Sequence, residues 1–510
     1  MSVTGQYATL LSRGLSGVQA PEVQIEVHAT NGLPSLSIVG LPEASVKESK
    51  DRVRSAVMSA GFQLPPKRMT INLAPADIPK QGGRYDLPIA LGILVATGQL
   101  IPVRDLNRIE WFGEVGLNGA LRPVPGILPA VMQAAQAGRT VVVPMANLAE
   151  ASLVKGAQVF GAENLLSVAR YLVDETATLV EPEAVAFTGA SYAEDMADIR
   201  GQQQAKRLLE VCASGGHSLL MVGPPGSGKS MLASRLVTLL PDLPLEHAIE
   251  VASVHSVAGK EVAVERFQQR QLVQPHHTAT AAAMVGGGSG SNPKPGAVSL
   301  AHRSILFLDE LPEFNRTVLE ALREPLETGH VEIARVNQQV TYPARVQLVC
   351  AMNPTPSGFF PDDALGRCSD TPEQISRYRQ KISGPLLDRI DCHLEVPPVD
   401  FEALSGKPEV GAETSAQIRA RVEQCQAVQY NRQGCLNTAL TSKQLEALVV
   451  LDSDSKQLLE QAMNRLGLSA RGYHRILRVA RTLADMIGQE AVQTAQLAEA
   501  ISYRSMDKTQ

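Results

Sequence analysis

The sequence predicts an α/β protein in three regions: a mixed α/β N-terminal domain, a parallel-sheet core with a phosphate loop, and a small helical C-terminal domain. Three observations carry this. HSLLMVG, SILFLDE and VQLVCAMN are short apolar runs that each end in turn residues, as in a parallel sheet with ligands at its strand ends. The first of them runs directly into GPPGSGKS at 223–230, and the chain closes on a series of amphipathic helical patterns. A length of 510 residues suits about three domains at roughly 150 residues each.

In the N-terminal region, VQIEVHA alternates in period two, Asn31-Gly32 signals a turn, and LSIVG follows as a second strand, so a hairpin is expected to open the fold. Helical patterns cover 44–60 and 86–98, and strands cover 69–74 and 141–144. The expected divisions are a domain over 1–174, an acidic, small-residue linker over 175–195, the core over 196–399, a second linker over 400–415 and the helical domain over 416–510. Four helices are expected in that last domain. One is opened by Asp454, places Leu458, Leu459, Ala462, Met463 and Leu466 on one side, and is closed by Gly467.

Composition excludes several classes. With 44% hydrophobic and 19% charged residues, the chain is neither disordered nor fibrous. Its net charge of -5 provides no global field toward nucleic acid or membrane, so any polyanion site is local. Six cysteines without a CxxC pair are neither a disulfide framework nor a metal knuckle. No secretory signal is visible, and the longest uncharged stretch, 87–101, is too short to span a bilayer as a helix, so a cytoplasmic protein without a membrane partner is expected.

The segment Gly223-Pro224-Pro225-Gly226-Ser227-Gly228-Lys229-Ser230 fits GxxxxGK[ST] between a strand and a helix. Glycines let backbone N–H groups curl around a β-phosphate, Lys229 neutralises β/γ oxygens, and the Ser230 hydroxyl ligates Mg²⁺. Eighty residues on, the buried strand ILFL delivers Asp309 and Glu310. Two adjacent acids divide the work: Asp309 holds Mg²⁺ with Ser230, and Glu310 acts as general base on the attacking water. ATP with Mg²⁺ is the expected ligand.

With these two motifs the sequence resembles the AAA+ ATPases. The resemblance implies that Asn353 in VCAMNP is a sensor 1 residue orienting water. It also makes Arg389 in SGPLLDRID the arginine finger offered to a neighbouring subunit, and Arg471 in LSARGYHRILRVARTLADM a sensor 2 residue. By the same resemblance, residues 198–202 (DIRGQ) contact adenine. QPHHTATAAAMVGGG, GAVSLAHRSILFLDELPEF, LREPLE, YPARVQLVCAMNP, GLPEASVKESKDRVRSA, INLAPADIPKQGGRYDLPIAL and GEVGLNGALRPVPG are similar to the Mg-chelatase-like branch and most closely to the ComM (YifB) family. Members resemble hexameric motors that migrate DNA junctions during natural transformation, which implies single-stranded or junction DNA and further copies of the chain as partners. The resemblance further implies an insertion before the acidic strand, for which 286–296 is suited, and a β-hairpin around Asn337-Gln338 before sensor 1. Its N-terminal domain resembles the Lon protease fold. Asp86 and Leu128 stand where that fold would carry its serine and lysine, and neither a carboxylate nor a leucine can replace them in proteolysis.

Two further features are ambiguous. Adjacent His276 and His277 are expected on different sides of a strand or helix, which argues against a shared metal. Arg471, Arg475 and Arg478 fall on one helix face with Arg481 close by, either a positive stripe for a polyanion or a solvated face. Two functions are therefore weighed: a DNA motor, and a protein or cofactor remodeller of the Mg-chelatase type.

Overall fold

The computed structural model describes residues 6–183, 189, 191–288, 293–335, 338–398 and 411–504. Seven strands form the N-terminal sheet: β1 (Tyr7–Arg13), β2 (Glu22–Thr30), β3 (Ser35–Val39), β4 (Arg68–Ala74), β5 (Ile109–Trp111), β6 (Thr140–Pro144) and β7 (Val159–Ala162), in the order β3-β4-β2-β1-β5-β6-β7. The expected hairpin is not there. β2 pairs antiparallel with β1 on one side and β4 on the other, while β3 runs parallel to β4 at the sheet edge. Burial explains the order. Met69, Ile71 and Leu73 give β4 a fully apolar inner face against Val23, Ile25 and Val27, whereas no residue of β3 is buried. The hairpin that does open the fold joins β1 to β2, and β1 gave no alternating signal.

Helices α1 (Ser49–Ser59), α2 (Asp86–Ala96), α3 (Ile127–Gln136) and α4 (Leu165–Val173) cover this sheet. Every residue of α2 is buried, as expected of a helix that is apolar all round. Beyond α4, Leu179 is buried and Val180 pairs with Gly161, so this part of the 175–195 stretch packs on the N-terminal domain.

The second sheet is wholly parallel. Its strands are β8 (Leu219–Val222), β9 (Leu272–Val273), β10 (Ile305–Leu308), β13 (Gln347–Met352) and β14 (Cys392–Glu395), in the order β9-β10-β13-β8-β14. Between β10 and β13 the chain makes an antiparallel hairpin, β11 (His330–Arg335) and β12 (Gln338–Pro343). Its turn at 336–337 lies outside the described residues. So do 289–292 of the glycine-rich stretch, whose flanks Gly286–Gly287 and Lys294–Pro295 pair antiparallel. Around the sheet lie α5 (Gln203–Gly215), α6 (Lys229–Leu236), α7 (Leu245–Val257) and α8 (Ala281–Val285).

Among the described residues five helices, not four, follow: α9 (Ser415–Gln433), α10 (Ser442–Leu448), α11 (Ser453–Leu466), α12 (Ala470–Met486) and α13 (Thr494–Ser502). Helix α11 starts two residues earlier than read, because Asp452, not Asp454, accepts the Ser455 N–H as its cap. Its other end is the left-handed Gly467, as expected. Leu477, Ala480 and Leu483 of α12 share one core with Leu208 and Leu209 of α5 and Leu219 of β8. The helical domain is thereby fixed to the sheet that carries the site.

The N-terminal domain docks through α3, where Leu128 packs with Leu243, Ala248, Val251 and Ala252 of the α7 region. At the same junction the Gly126 N–H donates to the Ser256 carbonyl at 2.9 Å. Among the described residues no helix is long and apolar enough to cross a membrane. Cys212, Cys350, Cys392 and Cys425 are buried thiols.

Burial also determines a pH response. It holds His217 and His302 down at about 4 and His393 at about 3, against an ordinary 6.5. Below pH 6.5 the unfolded chain therefore takes up protons that the folded chain does not. Stability is expected to fall as the pH drops from 6.5 towards 4, by about 2 kcal/mol per buried histidine at pH 5. Urea unfolding at pH 7.5 and pH 5 measures it, and equal midpoints would contradict it.

Candidate active site

Three neighbouring strands bring the expected groups to one edge of the parallel sheet. Val222 of β8 lies opposite Met352 of β13, and Leu308 of β10 lies opposite Cys350. The residues just past these strand ends, Gly223, Asp309 and Asn353, therefore emerge side by side at the carboxyl edge, where ligands bind in such sheets.

The loop from Gly223 to Ser230 is shaped for an anion. A Cβ on Gly223 would lie 2.3 Å from the Val396 carbonyl oxygen, so only glycine lets the loop leave the strand there. Gly226 and Gly228 have φ of +76° and +89°, and a Cβ on Gly226 would meet nothing within 4 Å, so bare backbone faces open space. Pro224 and Pro225 begin the loop, the Ser227 N–H donates to the Pro224 carbonyl at 3.2 Å, and Gly228 caps α6. Lys229 is buried. Its ammonium donates to the Gly223 and Pro224 carbonyls at 2.7 and 2.9 Å and reaches Asn353 Oδ1 at 3.4 Å. Burial lowers its pKa, against the opposing pull of Asp309 and Glu310.

The Ser230 hydroxyl donates to Asp309 Oδ2 at 2.8 Å. A hydroxyl and a carboxylate oxygen so close, with the bare backbone of the loop beside them, form a hard oxygen pair that fits Mg²⁺. Glu310 takes φ +53°, a left-handed conformation rare outside glycine, directly after the strand. Its backbone N–H donates to Asp309 Oδ1 at 3.0 Å. Gln202 also has a positive φ, +50°, and its amide donates to the Ser227 carbonyl at 2.7 Å, which joins the 198–202 segment to the phosphate loop.

Arg389 and Arg471 lie together elsewhere. Arg389 pairs with Glu327 and donates to the Pro385 carbonyl at 2.7 Å, while Arg471 stands 4.0 Å from the same Glu327. Glu327 closes the LREPLE segment that resembles the family, but its pairing with both arginines comes only from tertiary contact. Two expectations fail here. The arginines after Arg471 form neither an open stripe nor a solvated face: Arg475 pairs with the buried Asp391, Arg478 donates to the Leu440 carbonyl, and Arg481 pairs with Asp485 at 2.9 Å. Their partners come largely from other segments, which helical spacing cannot show. His276 and His277 do not point to opposite sides either. They sit in a turn with ring centroids 4.2 Å apart, and His277 Nδ1 lies 3.3 Å from Glu310 Oε2.

Residues 195–404 match the family described as magnesium chelatase, subunit ChlI, residues 25–147 match subunit ChlI of Mg-chelatase, and residues 412–504 match the ChlI C-terminal family. Competence protein ComM of Haemophilus influenzae is 48% identical over 504 residues, covering 98% of this chain and 97% of that protein. The chain belongs to the Mg-chelatase-like ComM/YifB family of AAA+ proteins. The uncharacterized protein YifB of Escherichia coli is 46% identical over 497 residues, with 98% and 97% covered. The N-terminal part of this ComM/YifB chain is similar to Lon protease 2 of Bacillus subtilis, at 27% identity over 141 residues and 25% of each chain. Where a Lon-type dyad is expected, Asp86 is buried at the start of α2 and bound by Ser49, Arg52 at 2.7 Å and the Val115 N–H, and Leu128 is buried in the docking interface.

Proposed function

We propose that the chain binds and hydrolyses ATP with Mg²⁺ at the edge of the parallel sheet. In this reading it works as a hexameric cytoplasmic ring that drives branch migration of DNA junctions during natural transformation. The convergence of Lys229 with Asn353, and of Ser230 with Asp309, at adjacent strand ends carries the ATPase part. The loop amides and Lys229 bind the β- and γ-phosphates, and Asn353, already beside Lys229, orients the attacking water. Glu310 accepts that water's proton. Mg²⁺, held by Ser230 and Asp309, neutralises charge on the phosphate oxygens when bound. Arg389, paired with Glu327, is read as the group supplied to the neighbouring subunit's γ-phosphate, which requires a ring, and Arg471, beside the same Glu327, as the sensor 2 group. The divisions 1–174, 196–399 and 416–510 give that ring its Lon-like, motor and lid parts.

The DNA part rests on the competence role in the name of the Haemophilus relative. Since the α12 arginines are engaged internally, DNA contacts are assigned to the two hairpins, one of which bears the exposed Lys294. ATP turnover is expected to rise several-fold with single-stranded or junction DNA, and DNA affinity to fall as salt increases, because each phosphate contact releases counterions. A second reading, a protein or cofactor remodeller, is favoured by the match to the magnesium chelatase subunit. An assembled ring that hydrolyses ATP and binds no DNA at low salt would decide for it.

A further inference from the structure

We propose that Asp391 and Arg475 are positioning residues that clamp the turn bearing Arg389 onto helix α12, so that Arg389 and Arg471 are presented as one rigid unit; the inference rests on Arg389 serving the neighbouring subunit's site. Arg389 stands two residues before Asp391, and Arg471 stands one helical turn before Arg475. The Asp391–Arg475 ion pair therefore joins the same two segments that meet at Glu327. The two contacts differ in durability. The Glu327 side chain is 59% exposed, so its contacts are easily given up, whereas Asp391 is 3% exposed, and losing Arg475 would leave a buried charge unpaired.

The turn is short and internally bonded. The Arg389 and Ile390 N–H groups donate to the Leu386 and Leu387 carbonyls at 3.0 and 2.9 Å, so a shift of Asp391 is passed on to Arg389. Asp391 Oδ2 accepts the Ser218 N–H at 2.9 Å, while Ser218 Oγ lies 3.1 Å from the Arg389 carbonyl and accepts the Asp391 N–H at 2.8 Å. Ser218 directly precedes β8, whose other end carries the phosphate loop. From α12, Thr482 adds a second hold: its hydroxyl is 2.7 Å from Nε2 of the buried His217, whose Nδ1 is 3.8 Å from Asp391 Oδ2. Burial raises the pKa of Asp391, but Arg475 and the Ser218 donors outweigh it and hold the carboxyl down at about 2, so the clamp is charged at neutral pH.

The test is steady-state ATP turnover by the full chain without polynucleotide, for wild type, Asp391→Asn, Arg475→Gln, Arg475→Lys and Arg389→Ala, singly and in equal mixtures. Asparagine keeps an acceptor for the Ser218 N–H and removes only the charge that Arg475 holds. Asp391→Asn and Arg475→Gln are expected to lower kcat about 10- to 10²-fold, the cost of misplacing a group by about 1 Å, with KM for ATP unchanged. Arg475→Lys keeps the cation and is expected to recover most of that loss. Mixed with Lys229→Ala, whose Arg389 is sound, Asp391→Asn should regain turnover. Mixed with Arg389→Ala, which is damaged on the same side of the shared site, it should not. A merely structural defect would make the two mixtures alike. Should Asp391→Asn fail to fold, Arg475→Gln is read in the same two mixtures. Wild-type kcat in Asp391→Asn or Arg475→Gln, or equal turnover of the two mixtures, overturns the inference. Wild-type turnover by Arg389→Ala overturns the shared-site reading and this inference together, whereas an inactive Arg389→Ala beside an unaffected Asp391→Asn removes the inference alone.

Discussion

Lys229→Ala is expected to lose ATP turnover by about 10²- to 10³-fold, the cost of removing one preorganised donor from a transition-state site. The ammonium is buried and anchored by the Gly223 and Pro224 carbonyls beside Asn353, so its charge is fixed at the loop. The substitution should also weaken ATP binding, since the loop loses the charge placed against the β- and γ-phosphates. The defect should be partly rescued by mixing with Arg389→Ala protomers. In the proposed ring, each active site takes Lys229 from one subunit and Arg389 from the next, so some mixed interfaces contain both. Malachite-green assays of the single and mixed preparations measure this. Full activity of Lys229→Ala would remove the phosphate-loop assignment, and a mixture no better than its components would remove the shared site.

Glu310→Gln should separate binding from turnover. Ser230 and Asp309 remain paired in that variant, so the oxygen pair proposed for Mg²⁺ is intact and ATP affinity should match wild type. Hydrolysis should fall by about 10²- to 10⁴-fold, because an amide cannot accept the proton that a general base removes. Equilibrium binding of a fluorescent ATP analogue beside a turnover assay distinguishes the two effects. Wild-type turnover would show that another group activates the water and would leave the strained Glu310 without its proposed role.

Much of the site was legible because its chemistry is local in sequence. The eight residues of the phosphate loop need only a strand before them and a helix after them, and both are recognisable from apolar runs and glycine spacing. Asp309 and Glu310 follow from the same logic, since a four-residue buried strand must end at the sheet edge. Arg389 and Arg471 were reached through family motifs, but their shared contact with Glu327 was not.

By itself the sequence determined the α/β class, the parallel core, the loop that fits a nucleotide and the membership of the ComM/YifB family. All of these rest on short-range periodicity or on motifs of contiguous residues. Tertiary structure alone decided that β4 separates β2 from β3, because that order depends on which strand has the more apolar face to bury. It alone paired Arg475 with Asp391 and His277 with Glu310, residues 84 and 33 positions apart. Such pairs form because packing brings separate segments within a few ångströms, and a charge is then satisfied by whatever opposite charge the fold places beside it.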